Sequence, residues 1–347
     1  MIKKYAICAD VHFCQFSSIV RKQGKKYSVR LENLIRSMNW FEQLAKDECC
    51  DEVLYLGDTF DRQDLNAQEI TALQDVYFCN KPHIFLTGNH EANSSSLEYS
   101  TAQVFQSINA EVITDVKRVE VNDKVDLYFI PYLTNDIRLP LDKYLVDNGK
   151  KKVVLSHNDL AGIQYGKFKS TGGFDVNEVL NNCTLFINGH LHNGYVINDR
   201  IILVGNLTGL NFNEDATKYE HYAYIMTIDD DGSITLEPRI NPYAFNFYKV
   251  YINSEDDIKQ LYNLKSNSVL SVSCLGSLIP QVEKKLGRAK NVVDYKIYAT
   301  YKQGGSVDIS DVDFTVEDHF QQFINFVQTK IEPSEILTEV LTLLGSN

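Results

Sequence analysis

The feature that most restricts the fold of this chain is a pattern repeated along its first two thirds. A short apolar run is followed at once by a polar cluster that contains His, Asp or Asn. The runs cover residues 5–9, 53–56, 83–86, 127–131, 153–155, 184–187 and 201–204. Short runs rich in β-branched residues and bounded by Gly, Asn or Asp are typical of strands buried on both faces.

Helical stretches separate the early runs. Residues 29–46 place apolar side chains at spacings of three and four, and residues 67–78 do so over a shorter length. This periodicity predicts two amphipathic helices. Strands separated by helices, and then strands in quick succession, predict a mixed α/β fold in which two stacked sheets are flanked by helices.

The pattern changes after residue 228. Residues 222–228 and 233–238 flank a turn and predict a hairpin, and a different unit follows Asn241-Pro242. In that unit we expect strands at 247–252, 269–274 and 292–301 and a helix at 280–286, with Ser254-x-x-Asp257 as the capping box of a further helix. We therefore divide the chain into a first domain with the two stacked sheets (1–240), a small α/β capping domain (241–305) and a C-terminal helical segment (306–347).

The C-terminal segment carries an apolar stripe at helical spacing that includes Phe320, Phe323, Ile324 and Val327. Packing within the segment's own domain and docking to a partner protein both fit this stripe, and the sequence does not decide between them.

Composition excludes several classes of protein. The 347 residues are 44% hydrophobic and 23% charged, which is ordinary for a globular protein and excludes wholesale disorder. An apolar run of about 18 residues is missing, so we expect no membrane span. Seven cysteines without a Cys-x-x-Cys motif argue against a disulfide framework and favour the cytoplasm. The net charge of −12 argues against strong nucleic-acid binding by the chain as a whole.

Five polar clusters follow the apolar runs, where ligands gather in open α/β sheets. They are Asp10-Val-His12, Gly57-Asp58-Thr-Phe-Asp61-Arg62, Gly88-Asn89-His90-Glu91, Ser156-His157-Asn158 and Gly189-His190-Leu-His192. Each cluster alone is common, since a turn or a buried hydrogen bond also uses such residues. Together they supply nitrogen and oxygen donors without a thiolate, which suit Mn²⁺, Fe²⁺ or Zn²⁺ rather than Ca²⁺. The donors are too many for one ion and sufficient for two ions that share a carboxylate.

This ordered pattern, which spans residues 10–192, resembles the calcineurin-like metallophosphoesterases. Within that family the chain is similar to the SbcD-type nuclease subunit of DNA double-strand-break repair and phage recombination complexes. Phe129-Ile-Pro-Tyr132, Gly205-Asn-Leu-Thr, the small capping-like unit and the C-terminal helices carry this finer resemblance. The sequence departs from the SbcD-type pattern at two places that concern substrate binding. Phe13-Cys14 follows the first His where many SbcD-type proteins have Leu-Gly, and the Arg-rich or Pro-rich loop common in relatives is missing after Gly205-Asn206.

The resemblance implies a two-metal site with defined roles. His90 would face the phosphodiester, and Asp61 would orient His90. Asp58 would bridge the two ions, for which Mn²⁺ is the first expectation and Mg²⁺, Fe²⁺ or Zn²⁺ are alternatives. The ligands of one ion would be Asp10, His12, Asp58 and His192, and those of the other would be Asp58, Asn89, His157 and His190.

The function that the resemblance implies is a Mn²⁺-dependent DNA exonuclease and endonuclease subunit, located in the host cytoplasm if the protein comes from a phage. It would form a homodimer through helices of the core and would bind an SbcC-type ABC ATPase through residues 306–347. Arg62, Lys22, Lys25 and Lys26 are candidate contacts to DNA.

The alternative is a stand-alone metal-dependent phosphatase or small-molecule phosphodiesterase, which predicts activity on small esters and no use for residues beyond about 240. A non-catalytic scaffold is the third hypothesis, and the complete ligand set argues against it.

Overall fold

A computed structural model describes residues 2–300, apart from residues 18, 21, 94–95, 107–108, 135 and 166–167. The helical segment predicted at 306–347 and its candidate partner-binding side chains, Phe320, Phe323, Ile324 and Val327, lie outside the described residues.

We number the strands of the three larger sheets in chain order. They are β1 Lys3–Cys8, β2 Glu52–Leu56, β3 His83–Leu86, β4 Ala110–Ile113, β5 Lys117–Glu120, β6 Val125–Ile130, β7 Lys151–Ser156, β8 Leu185–Asn188, β9 Tyr195–Ile197, β10 Ile201–Leu203, β11 Tyr222–Ile228, β12 Ile234–Ile240, β13 Asn246–Ile252, β14 Ser268–Leu275 and β15 Val292–Thr300. The α-helices are α1 Val29–Asp47, α2 Ala67–Leu73, α3 Val176–Asn182 and α4 Ile279–Leu286.

Shorter elements connect these strands and helices. The 3₁₀ helices are Thr101–Phe105, Leu141–Lys143, Asp256–Leu261 and Gly276–Leu278. The short strand pairs are Ala92–Asn93 with Ser96–Ser100, Leu160–Ala161 with Phe174–Asp175, and Gln164–Tyr165 with Phe168–Lys169.

Two six-stranded sheets form the sandwich. The first has the order β12-β11-β1-β2-β3-β4, in which β1, β2, β3 and β4 are parallel, β11 pairs antiparallel with β1, and β12 pairs antiparallel with β11. The second has the order β9-β10-β8-β7-β6-β5, in which β6, β7, β8 and β10 are parallel. Parallel strands in each sheet bring their carboxyl ends to one edge, so the polar clusters that follow them meet there.

Alternation of side chains along β1 explains how both faces of the first sheet are covered. Tyr5 and Ile7 pack between the two sheets, whereas Ala6 and Cys8 pack beneath α1 with Leu34. Helices α1 and α2 cover the outer face of the first sheet, and α3 covers that of the second. The predicted two-sheet sandwich flanked by helices is therefore confirmed.

The third sheet, β13-β14-β15, is fully parallel and has its own apolar core with α4. It belongs to the same compact unit, Met1–Thr300, as the sandwich. Strand β12 ends at Ile240 and β13 begins at Asn246. The proposed domain boundaries at residues 240 and 305 remain predictions.

Two predicted helices differ from the structure. Helix α2 ends at Leu73 rather than at residue 78, because Asn39 of α1 binds the following backbone: its Oδ1 accepts from Tyr77 N at 2.7 Å. The helix expected after Ser254-x-x-Asp257 is a 3₁₀ helix, Asp256–Leu261. Its Asp257 carboxylate still accepts from Ser254 N and Oγ, as the capping motif suggested.

All seven cysteines lie in the described part of the chain and carry free thiols. Across the described residues, no helix combines the length and apolarity that a membrane span requires.

Candidate metal centre

The ends of five parallel strands place the five polar clusters around one point between the sheets. Asp10 and His12 follow β1, and their amides donate to Gly57 O at 3.1 Å and to Asp58 O at 2.9 Å after β2. From the second sheet, His157 Nδ1 donates to Leu56 O at 2.7 Å. Main-chain hydrogen bonds thus fix the first two clusters relative to each other, and the His157 ring joins the second sheet to them.

The backbone at this point is strained. Asp10, His12, Asp58 and His190 adopt φ values of 50°, 49°, 47° and 73°, which L-residues seldom adopt outside turns. Strain of this kind costs of order 1–3 kcal/mol per residue and gathers at functional sites. Gly88 leaves the necessary room, because a Cβ there would lie 2.1 Å from Asp58 Oδ1.

The first half of the centre comprises Asp10, His12 and His192, whose ligand atoms lie within 4.8 Å of one another. Nε2 of His12 lies 3.1 Å from Nε2 of His192 and 3.9 Å from Asp10 Oδ1. Each ring donates its Nδ1 proton outward, His12 to Asp61 at 3.0 Å and His192 to Glu214 at 3.2 Å. Two Nε2 lone pairs therefore face each other next to a carboxylate.

The second half comprises Asp58, His157 and His190, joined by Asn89. Asp58 Oδ2 lies 3.2 Å from His157 Nε2 and 3.7 Å from His12 Nε2, so this carboxylate spans both halves. Asn89 Oδ1 lies 3.3 Å from His157 Nε2 and 2.9 Å from His190 Nδ1. The structure thus brings all seven predicted ligands together in the two groups that the resemblance implied.

These donors fit divalent cations. Both carboxylate oxygens of Asp10 are buried and have no hydrogen-bond partner among the described residues. A buried carboxylate without a partner is costly unless a cation compensates its charge. The donor set of imidazole nitrogens and carboxylate and amide oxygens suits Mn²⁺, Fe²⁺ or Zn²⁺.

The ionised groups of the centre shift one another's pKa. Burial works against ionisation of Asp58, but His157, followed by His12 and His90, holds the pKa of this carboxyl well below its usual range. Burial likewise lowers the pKa of His157, but Asp58, Asp10 and the Leu56 carbonyl together raise it to about 9. Without a cation, a proton on His157 therefore compensates part of the negative charge.

His90 lies beside the ligands and is accessible. Its side chain is 43% exposed, its amide donates to Asp58 Oδ1 at 2.9 Å, and its Nδ1 donates to the Asp61 carbonyl at 2.9 Å. The Asp61 carboxylate is 4.0 Å from His90 and accepts instead from His12 at 3.0 Å. Asp61 thus contacts both histidines, with its carbonyl on His90 and its carboxylate on His12.

The candidate DNA contacts occupy different surroundings. Arg62 lines an open cleft of about 380 Å³ with His90, and its guanidinium pairs with Glu69 at 2.5 Å. The Lys22 amino group donates to Val293 O at 2.7 Å. The Lys26 amino group pairs with Asp75 at 2.6 Å, and the Lys25 amide donates to Glu32. The described partners of the three lysines include none of the metal ligands, and their contact with DNA remains a prediction.

Sequence reasoning assigned no role to three carboxylates around the centre. Asp159 accepts from His190 Nε2 at 3.1 Å, and Glu214 accepts from His192 Nδ1. Glu91 accepts from Phe60 N and Gly88 N, and burial, reinforced by the charge of Asp58, raises its pKa to about 7. Glu91 closes the Gly-Asn-His-Glu motif and Asp159 follows the lone His by two residues, so a motif-centred search could have found both. Glu214 lies in none of the five motifs and is not adjacent to one, so the sequence does not point to it.

Residues 3–194 match the calcineurin-like phosphoesterase family, and the chain belongs to this family. Members of this family are metal-dependent phosphoester hydrolases that use a dimetal centre. The comparison with curated proteins finds no match.

The solved structures that the chain matches include a dimetal phosphatase from Danio rerio, at 14% identity and a TM-score of 0.43, over 69% of this chain and 96% of that chain. A purple acid phosphatase from yellow lupin has 16% identity and a TM-score of 0.45, over 70% of this chain and 52% of that chain. The calcineurin-like phosphoesterase YfkN from Bacillus subtilis has 11% identity and a TM-score of 0.35, over 69% and 90% of the two chains.

Proposed function

We propose that this chain is an SbcD-type nuclease subunit that hydrolyses DNA phosphodiester bonds with two divalent cations, Mn²⁺ in the first place. It acts as an exonuclease and endonuclease in DNA end processing, repair or recombination. When bound, the two cations would neutralise phosphate charge and lower the pKa of water, so that a nucleophile is available near neutral pH.

The observation that favours a nuclease subunit over a stand-alone phosphatase is the third sheet. A stand-alone phosphatase needs only the sandwich, yet residues 246–300 form a separate apolar core attached to it. Hydrogen bonds join this sheet to the catalytic part, among them those from Ala216 N to Phe247 O at 3.0 Å and from the Lys22 amino group to Val293 O. An accessory layer of this kind suits a polymeric substrate or a partner subunit.

His90 is the proposed general acid. Because its Nδ1 proton is donated to the Asp61 carbonyl, Nε2 is the nitrogen left for substrate. In the protonated form, Nε2–H would stabilise the charge that develops on phosphate or would protonate the departing 3′ oxygen. The cleft shared by His90, Arg62 and Asp64 gives the leaving strand a path to solvent.

The acidic balance of the chain sets a limit on DNA affinity. A net charge of −12 opposes binding to phosphate, so we propose that this chain alone binds DNA weakly and in a salt-sensitive manner. The remaining affinity would come from an SbcC-type ABC ATPase bound through residues 306–347, with a homodimer of this chain in the assembly.

The experiment that tests this function is release of nucleotides from an end-labelled linear duplex by the full chain in Mn²⁺, with EDTA as the control. His90→Ala should abolish release while bound Mn²⁺ stays constant. The matched control is Lys143→Ala, which changes an exposed residue outside the centre and should leave release unchanged.

The same preparation should be assayed on a small aryl phosphate ester. Rapid hydrolysis of that ester without release from DNA would favour the stand-alone phosphatase instead. Replacing both Phe320 and Phe323 with Glu should abolish binding of the ATPase partner and leave nuclease activity in Mn²⁺ intact.

A further inference from the structure

Each histidine of the centre donates one ring proton to an acceptor outside the metal-ligand set. The pairs are His12 with Asp61, His157 with the Leu56 carbonyl, His190 with Asp159 and His192 with Glu214. The carboxylates among these acceptors differ in burial: the side chain of Glu214 is 2% exposed, whereas those of Asp159 and Asp61 are 32% and 43% exposed.

Glu214 is held in place by its own loop. Its Oε2 accepts from Leu210 N at 2.6 Å, and its Oε1 accepts from Asn211 Nδ2 at 3.1 Å as well as from His192 Nδ1. Since both oxygens are fixed by neighbours in the loop, His192 turns toward a carboxylate that is already positioned.

The same loop is joined to the third sheet. Asp215, the next residue, forms a parallel bridge with Phe247 of β13, and Ala216 N donates to Phe247 O. Residues 214–216 therefore connect the His192 ring of the metal centre with the third sheet.

We propose that Glu214 is a positioning residue that sets the affinity of one half of the centre for its divalent cation. It holds His192 with the proton on Nδ1 and with Nε2 turned toward Asp10 and His12. This inference rests on the proposed function only in that the centre binds divalent cations. A carboxylate acceptor makes the imidazole a stronger ligand, and a buried one is screened less by water.

Asp159 provides the internal comparison, because it makes the equivalent contact to His190 in the other half. Its greater exposure weakens its electrostatic effect, so we expect its loss to cost less affinity. The two halves of the centre should therefore respond unequally to removal of their outer carboxylates.

The test is calorimetric titration of the full chain with Mn²⁺, for the wild type, Glu214→Gln and Asp159→Asn. We expect Glu214→Gln to weaken one of two binding steps by about 10–100-fold, the usual cost of losing such a partner, and Asp159→Asn to weaken the other step by less. Because both oxygens of Glu214 accept from N–H donors, Glu214→Gln should melt at a lower temperature in EDTA than the wild type, and the titrations are made at a temperature at which both proteins are folded. Unchanged affinity at both steps in folded Glu214→Gln would overturn the proposal.

A second measurement needs no variant and decides the matter if Glu214→Gln does not fold. In ¹⁵N-labelled wild-type protein, NMR of the neutral His192 ring should place its proton on Nδ1, and a proton on Nε2 would overturn the proposal. Absence of Mn²⁺ binding by the wild type would contradict the proposed function as well, whereas two intact steps in Glu214→Gln would contradict this inference alone.

Discussion

In the described part of the chain, two buried clusters combine a carboxylate with imidazole, and they differ in how their polar atoms are satisfied. The cluster beneath α1 is formed by Glu42, Cys79 and His83, whose ligand atoms lie within 4.8 Å of one another. There the Glu42 carboxylate accepts from the Tyr55 hydroxyl at 2.6 Å, from Cys79 N at 3.1 Å and from His83 Nε2 at 3.1 Å. His83 Nδ1 donates to Lys81 O at 2.7 Å. With His83 protonated, both of its ring N–H groups meet an acceptor.

The cluster at the strand ends behaves in the opposite way. There, hydrogen-bond acceptors lie next to other acceptors. Nε2 of His12 and Nε2 of His192 are 3.1 Å apart, and the carboxylate oxygens of Asp10 have no hydrogen-bond partner among the described residues. The comparison shows that residue types and spacing alone do not identify a metal site. What separates the two clusters is the unsatisfied acceptor charge that a cation would neutralise.

The largest expected effect comes from Asp58→Asn. Because Asp58 faces histidines of both halves, losing its charge should weaken both cations and lower the nuclease rate by more than about 10⁴-fold, beyond the usual cost of losing a general acid. Nuclease assays in Mn²⁺ and metal analysis after dialysis would measure the two effects. An Asp58→Asn protein that retains two ions would break the proposed distinction between the clusters.

His90→Ala should separate chemistry from metal binding. We expect kcat on a linear duplex to fall by about 10²–10⁴-fold, the range for a general acid, while calorimetry finds the same Mn²⁺ stoichiometry. A loss of metal of the same size as the loss of rate would instead assign His90 to the ligand set.

Glu42→Ala addresses the other cluster and should act on stability alone. Removing one partner of a buried, hydrogen-bonded pair costs about 3–5 kcal/mol, which urea unfolding in EDTA would measure. The control is Glu42→Gln, which keeps an acceptor for the Cys79 amide and should cost less. If either substitution changed Mn²⁺ affinity in folded protein, the cluster beneath α1 would have to be regarded as a metal site.

The pH dependence is the smallest expected effect. Without metal, the pKa of His157 is raised from its usual value near 6.5 to about 9, so its protonation stabilises the fold below pH 6.5 and this contribution is lost as pH rises through 9. We expect melting temperatures in EDTA to fall between pH 6.5 and 9, and the affinity for Mn²⁺ to rise over the same range as that proton is lost. His157→Gln should flatten the melting profile, and an equally steep profile in that variant would contradict the assignment.

Much of this architecture could be predicted from the sequence, because apolar runs and the polar residues after them are local signals. Residues 83–86 form a strand as expected, and α1 begins at Val29 because Ser28 caps it. The convergence of Asp10, Asn89 and His157 followed from a general property of parallel sheets rather than from any single motif.

The remainder depended on tertiary contacts that no local pattern encodes. The early end of α2 follows from Asn39, which lies on a different helix. The role of Glu214 follows from a loop that turns back to His192, and a lone glutamate in a loop resembles any solvated side chain in the sequence. Asp61 was expected to act on His90, yet its carboxylate lies nearer to His12 because backbone geometry decides which of its groups faces which ring.

The most direct test of the central claim is the number of Mn²⁺ ions that the full chain binds, measured by calorimetry alongside the nuclease assay. We predict two ions per chain in the wild type and in Glu42→Gln, with both steps weakened in Asp58→Asn. A single ion in the wild type, or two ions that persist at full affinity in Asp58→Asn, would contradict the assignment of the strand-end cluster as a dimetal centre.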